Sequence, residues 1–128
     1  MAEDVLVDGG VVYGAAFDVH NRLRHVRAES ADALVPLTGS KYVQSEIGTA
    51  FCQVRADLKN GRRVLFTGTP CQVAGLYAFL GGDDANLLTA DVLCHGVPSP
   101  AVFERYLESL GVGEKCRIEF RNKDNGWK

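Results

Sequence analysis

Long apolar runs are missing from this chain. None approaches the roughly 20 residues that a membrane-spanning helix needs, and the N-terminus has no secretory leader pattern. A membrane span is therefore not expected, and the cytoplasm is the expected compartment. Excess positive charge is missing too: a net charge of −2 and a pI near 5.9 leave no basic face for a nucleic acid. The four cysteines, Cys52, Cys71, Cys94 and Cys116, contain no C-x-x-C pair, so a self-contained zinc finger is excluded. In a cytosolic chain such cysteines are free, metal-bound or catalytic more often than disulfide-bonded. The phosphate-cradling P-loop and the G-x-G-x-x-G dinucleotide fingerprint are both lacking, which leaves a standard Rossmann site unsupported. Internal repeats and low-complexity tracts are lacking as well.

What remains is an ordinary globular composition, 46% apolar and 23% charged over 128 residues, which fits a single domain with a sizeable core. Residues 2–8 read as the end of a helix stopped by Gly9-Gly10. Residues 11–17 and 23–28 read as two strands of a hairpin joined by a polar connection at 18–22. Ser30 can cap a short helix ending before Pro36, and residues 37–45 read as an ordered loop. From Ser45, the apolar residues Ile47, Ala50, Phe51, Val54 and Leu58 recur at helical spacing up to Asn60-Gly61, predicting a helix over 45–60. Strands follow at 63–67 and 87–94, with helices at 70–80 and 99–110. This order implies an α/β fold, a mixed sheet with parallel strands, right-handed crossovers and flanking helices behind an N-terminal hairpin. Residues 117–121 alternate like a further strand. Asn125-Gly126 then signals a hairpin turn whose return strand at Trp127 has no length, so both ends read as cut from a larger protein.

The most informative segment is Thr67-Gly68-Thr69-Pro70-Cys71-Gln72 after the apolar Val64-Leu65-Phe66. Thr69 suits an N-cap, Pro70 the first helical position, and Gln72 stands three residues beyond Thr69, the spacing of a capping box. Cys71 falls in the first helical turn, where the helix terminus favours a thiolate. If the strands at 63–67 and 87–94 are parallel neighbours, Cys71 and Cys94 meet at one carboxyl edge, the edge where open α/β sheets bind ligands. Cys52 and Cys116 read as small apolar fillers elsewhere. After Cys94, His95 and Gly96 sit in a loop stiffened by Pro98 and Pro100, and Ser99 caps the next helix. His20 and His25 lie in or beside the hairpin and read as surface residues. Gly39-Ser40-Lys41-Tyr42 offers a cation, hydroxyls and a ring that suit a phosphate-bearing cofactor with a flat ring system.

These segments stand in the order G-G-V-V-Y-G-A-A-F-D at 9–18, G-S-K-Y-V-Q-S at 39–45, V-L-F-T-G-T-P-C-Q-V-A-G-L at 64–76, C-H-G-V-P-S-P at 94–100 and F-R-N-K-D-N-G-W at 120–127. In this the chain resembles the coenzyme F-420 hydrogenase/dehydrogenase beta subunit family of iron–sulfur flavoproteins. The resemblance implies an electron-transfer oxidoreductase carrying FAD and a 4Fe–4S cluster. Its partners would be an electron-donor or acceptor subunit or a ferredoxin, and a hydride-carrying deazaflavin coenzyme. Carried over by position, Ser40, Lys41, Tyr42, Gln44, Ser45, Thr67, Gly68, Thr69, Pro70, Gln72, His95 and Gly96 become cofactor-binding candidates. Cys71 and Cys94 become candidate cluster ligands. Family members carry further cysteines beyond the Gly-Trp at 126–127, so a four-thiolate set is incomplete within these residues. Two other readings compete: a non-catalytic assembly module of the same fold, and a transferase with Cys71 as nucleophile and His95 as its base.

Overall fold

Strands buried on both faces need helices above and below them, and the apolar runs at 11–17 and 64–68 meet that condition. The computed structural model describes residues 1–113 and 116–121. In chain order the elements are α1 (Ala2–Val7), β1 (Val11–Phe17), β2 (Leu23–Ala28), α2 (Ala31–Leu34) running into a 3-10 turn (Val35–Leu37), α3 (Ala50–Lys59), β3 (Val64–Gly68), α4 (Pro70–Leu80), β4 (Leu87–Asp91) and α5 (Pro100–Ser109). The sheet order is β2-β1-β3-β4. β1 and β2 form the antiparallel hairpin, while β1–β3 and β3–β4 are parallel. The expected α/β architecture is therefore present, a mixed sheet with flanking helices and an N-terminal hairpin.

Side-chain alternation along the strands divides the core into two layers. Val11, Tyr13, Val64, Phe66 and Leu87 pack with α3 and α4 through Val54, Leu58 and Leu76. Val12, Ala28 and Leu65 face the other way and pack with Val5 of α1, backed by Leu34 and Leu37. A third cluster lies at the end of the hairpin, where Leu23 and Val43 meet Phe103 of α5, with Phe17, Ile118 and Phe120 against it. Gly10 is needed where α1 turns into β1: a Cβ there would lie 2.6 Å from both the Arg63 carbonyl oxygen and the Val5 side chain.

Three expected elements differ, the first being the strand predicted over 87–94, which ends at Asp91 and leaves Cys94 on the connector beyond it. The helix predicted from Ser45 begins at Ala50 instead. Residues 45–46 are drawn into the sheet, where Glu46 bridges Arg24: the Glu46 N–H donates to the Leu23 carbonyl and the Glu46 carbonyl accepts from His25 N–H. Gly48, at φ +51°, then turns the chain into α3. Residues 117–121 do not form a strand and pair with none of the described strands. Their alternation is nonetheless used, since Ile118 and Phe120 both pack on the third cluster. The hairpin turn expected at Asn125-Gly126 lies outside the described residues.

The layer between sheet and α3 also holds a buried charge. Asp57 accepts the Tyr13 hydroxyl at 2.6 Å and both arms of the Arg27 guanidinium at 2.8 Å. Arg27 holds the Asp57 carboxyl below its ordinary range, while burial and the Asp57 charge push the Tyr13 hydroxyl well up. Glu29 extends the set by pairing with Arg27 and Arg62. Removing one partner of a buried ion pair leaves the other charge uncompensated. Asp57→Ala should therefore lower the unfolding free energy by about 3 kcal/mol or more, read from urea denaturation. A loss near that of an exposed ion pair, under about 1 kcal/mol, would show that the carboxylate is dispensable.

Candidate functional site at the carboxyl edge of β3 and β4

Parallel register decides what meets at this edge. Gly68 pairs with Asp91, and Cys71 and Cys94 each follow three residues later. The Val92 N–H donates to the Gly68 carbonyl at 3.3 Å, continuing the pairing one step past the strands. Both thiols are exposed. Cys71 lies in the first turn of α4, with its Sγ 3.0 Å from the Thr69 hydroxyl. The Gly96 N–H donates to the Cys94 Sγ at 3.4 Å. Cys52 and Cys116 are exposed as well, so neither is the apolar filler the sequence led us to expect. Cys52 lies on the outward side of α3, while α3 turns Ala50, Val54 and Leu58 inward.

Local chemistry forms the 67–72 turn as the sequence indicated. Pro70 starts α4, and the Gln72 Oε1 accepts from the Thr69 N–H at 3.0 Å, closing one arm of the capping box. In the other arm the Thr69 hydroxyl meets the Gln72 N–H in looser geometry, and its short contact is with Cys71. Gly81, in the left-handed region, ends the helix.

Three segments singled out in the sequence converge here. The Gln72 Nε2 donates to the Ser45 Oγ at 2.9 Å and to the Ser45 carbonyl at 3.2 Å, tying the 67–72 turn to the 39–45 loop. The Gln44 N–H donates to the Pro98 carbonyl at 3.3 Å, tying that loop to the connector after Cys94. In this connector His95 and Gly96 are exposed, and the Ser99 hydroxyl caps α5 by accepting the Val102 N–H. Tyr42 is exposed and meets the Phe120 ring edge-on, with centroids 5.7 Å apart. Pro70 is exposed and Ser40 is exposed on the loop.

Lys41 has a defined task. Its Nζ donates to the carbonyls of Leu37, Thr38 and Gly39 at 3.2, 2.8 and 3.3 Å, which uses its three N–H donors to close the end of the 3-10 turn. Burial lowers its pKa. Ser40 and Lys41 border a groove of about 750 Å³ whose walls include Phe17, Arg117 and Phe120. That volume is in the range of small-molecule sites. Thr67 borders a smaller crevice of about 460 Å³ with Val12, Leu37 and Thr38. The 39–41 corner and Thr67 thus open onto different hollows, which meet at Val35 and Thr38.

One residue of this edge was missed in the sequence. His25, expected at the surface, is 8% exposed. Its ring stacks on Phe66, with centroids 4.9 Å apart and planes 14° from parallel. Its Nε2 lies 2.8 Å from the Thr67 carbonyl and its Nδ1 2.8 Å from the Ser45 Oγ. A carbonyl only accepts, so Nε2 carries the proton and Nδ1 accepts from Ser45. The signal available was its place in strand alternation with Leu23, which puts His25 on the buried side of β2.

No three His, Cys, Asp or Glu side chains among the described residues converge as a metal site, so Cys71 and Cys94 would supply part of any cluster's ligand set. No helix is long and apolar enough to cross a membrane among the described residues. The fold and this edge define an α/β domain that presents two thiols and three ordered loops at the carboxyl ends of parallel strands. The family model for the C terminus of the coenzyme F420 hydrogenase/dehydrogenase beta subunit matches residues 61–124, which run from β3 through α5 and beyond, and the chain belongs to that family of oxidoreductases. No curated protein matches the chain.

Gly68 is closely packed at this edge. A Cβ there would stand 3.0 Å from the Gln72 Oε1 and 3.2 Å from the Phe66 ring. Gly68→Ala should push the Gln72 amide off the Thr69 N–H and cost about 1–2 kcal/mol of stability. Denaturant unfolding gives the magnitude, and the Thr69 amide proton resonance gives the location. An unmoved Thr69 resonance would mean that the helix start tolerates the methyl group.

Proposed function

We propose that this chain is an electron-transfer oxidoreductase domain that works with FAD and a 4Fe–4S cluster, passing electrons between the cluster and a hydride-carrying coenzyme. The observation that carries the reading is the equal offset of Cys71 and Cys94 past the paired Gly68 and Asp91, within the stretch that matches the family. Thiolates are the ligands that hold iron–sulfur clusters, and a flavin, when bound, converts between hydride and single-electron transfer. On this reading Cys71 and Cys94 are cluster ligands, with the remaining ligands coming from outside the described residues. Thr69, through its hydroxyl, and Gly96, through its N–H, would then tune the two sulfurs by hydrogen bonding.

The flavin side of the reading rests on the 39–45 loop. The groove beside Ser40 and Lys41 has the volume for a ring system, and Phe17 and Phe120 give it apolar walls. Lys41 would meet a phosphate by exchanging one of its three carbonyl partners for a phosphate oxygen, which favours a charged acceptor over a neutral one. Thr67, Gly68, Pro70, Gln72 and His95 complete the proposed cofactor edge. The partners on this reading are an electron-donor or acceptor subunit or a ferredoxin, with a deazaflavin as the hydride carrier.

The test is anaerobic purification of the full-length gene product with iron supplied. Broad visible iron–sulfur absorbance should appear, and it should fall sharply in Cys71→Ser and Cys94→Ser but not in Cys52→Ser. FAD titration should show saturable binding that Lys41→Ala weakens by about tenfold or more, the value of one charge-assisted contact. Absorbance that is indifferent to Cys71 and Cys94 would remove the cluster assignment. Absence of FAD binding to the wild-type protein would remove the flavin.

A further inference from the structure

Donors and acceptors around His25 fit together in only one direction. The Thr69 N–H can only donate, so the amide oxygen of Gln72 faces it and the Gln72 Nε2 points to Ser45. The Ser45 Oγ, accepting from Gln72, gives its own proton to the His25 Nδ1, and the His25 Nε2–H gives to the Thr67 carbonyl. The result is a loop of four hydrogen bonds that leaves the end of β3 at Thr67, passes through β2 and the 39–45 loop, and returns to the helix start at Thr69. It closes around Gly68. We propose that neutral His25 is the positioning residue of the 67–72 turn, and that its protonation breaks this chain and loosens the first turn of α4 around Cys71. The inference does not depend on which cofactor the edge binds.

The reason lies in proton counting. An imidazolium carries protons on both nitrogens, so Nδ1 becomes a donor. Ser45 must then accept from His25 and Gln72 together, and its own proton loses its acceptor inside a buried site. The Gln72 amide is the least constrained partner, because its Nε2 already shares its donation with the Ser45 carbonyl at 3.2 Å and can shift fully onto it. If it moves there, its oxygen leaves the Thr69 N–H. Burial already lowers the pKa of His25 below its ordinary 6.5. The closed chain is therefore present at neutral pH and is lost only as pH falls below 6.5 and through the lower folded-state pKa.

Among the described residues, nothing around the ring competes with this titration. β3 contributes Phe66 and Thr67, the 39–45 loop contributes Ser45, and Ala15 of β1 stands opposite in register; none of these titrates. Arg24 lies on the opposite face of β2 by strand alternation, where it pairs with Asp18 and Glu46. From α3 the charged group turned toward β2 is Asp57, which is held by Arg27.

The experiment is performed on this 128-residue protein labelled with nitrogen-15. At neutral pH the imidazole nitrogens of His25 should report a protonated Nε2 and an unprotonated Nδ1. On lowering the pH from about 7.5 to about 5, the Thr69 amide should exchange faster than its intrinsic pH dependence predicts, while the Leu65 amide in β3 should follow that dependence. Ser45→Ala cuts the chain in the middle, so its Thr69 amide should exchange about tenfold faster at pH 7.5 and lose the extra pH response. His25→Phe, which keeps the ring stack and removes both bonds, should match Ser45→Ala. An Nδ1–H tautomer, or a Thr69 amide that tracks Leu65 across the titration, overturns the proposal in the wild-type protein with no variant needed. If both variants fold and leave Thr69 exchange unchanged, the chain does not position the turn.

Discussion

β3 is the strand on which the other parts depend. It is paired in parallel on both sides, to β1 and to β4, and its three apolar residues, Val64, Leu65 and Phe66, are buried in alternating layers. A strand with this much pairing and burial has one permitted register, because a slip by one residue would turn Leu65 toward α3 and α4 and move Phe66 out of that layer. That register sets Gly68 against Asp91. Everything at the carboxyl edge inherits its position from the pairing, since the chain leaves β3 and β4 at the same height.

Helix starts convert that shared height into chemistry. Directly past β3 the chain must reverse into α4 within two residues, and Gly68 and Thr69 allow it, the first by lacking a Cβ and the second by capping. Past β4 the chain takes a longer route, residues 92–99, before Ser99 caps α5. Cys71 is consequently on a helix and Cys94 on an extended connector. The two thiols share an edge but have different supports. Cys71 is held by a turn with its own polar frame, whereas Cys94 is met by the Gly96 N–H two residues away.

Local signals in the sequence carried most of this. The apolar run at 64–66, the Thr-Pro-x-Gln start and the Ser99-Pro100 start are all read within a few residues, and the structure places β3, α4 and α5 where those signals put them. Interactions between distant residues were harder to read. Ser45 has the composition of an N-cap, yet its hydroxyl is used by His25, twenty residues earlier, and Gln72, twenty-seven later. Glu46, next to it, is taken by the sheet edge. Local propensity lost there to tertiary hydrogen bonding, and α3 starts five residues late. Residues 117–121 show the converse. Their alternation reflects an apolar side facing Phe17 and Phe103, which a segment can satisfy without strand pairing.

His25 shows why a polar residue in a strand is the hardest to interpret. Its neighbours in sequence, Arg24 and Arg27, are charged, and a histidine among arginines reads as solvated. Only the positions of Phe66, Thr67 and Ser45 reveal that the ring has a flat apolar face to stack on and one partner for each nitrogen. A buried polar group with every hydrogen bond made is tolerated in a core, and one that loses a partner is expensive. The same buried chain therefore gives the turn its definition while making it depend on a single proton. The Asp57 network at the other end of the sheet is built differently, from fixed charges whose shifts, Asp57 lowered and Arg27 raised, carry both partners further from neutral pH. Of the two buried polar systems, one holds its charge state across the physiological range. The other, next to the candidate site, contains the side chain whose ordinary pKa lies within that range.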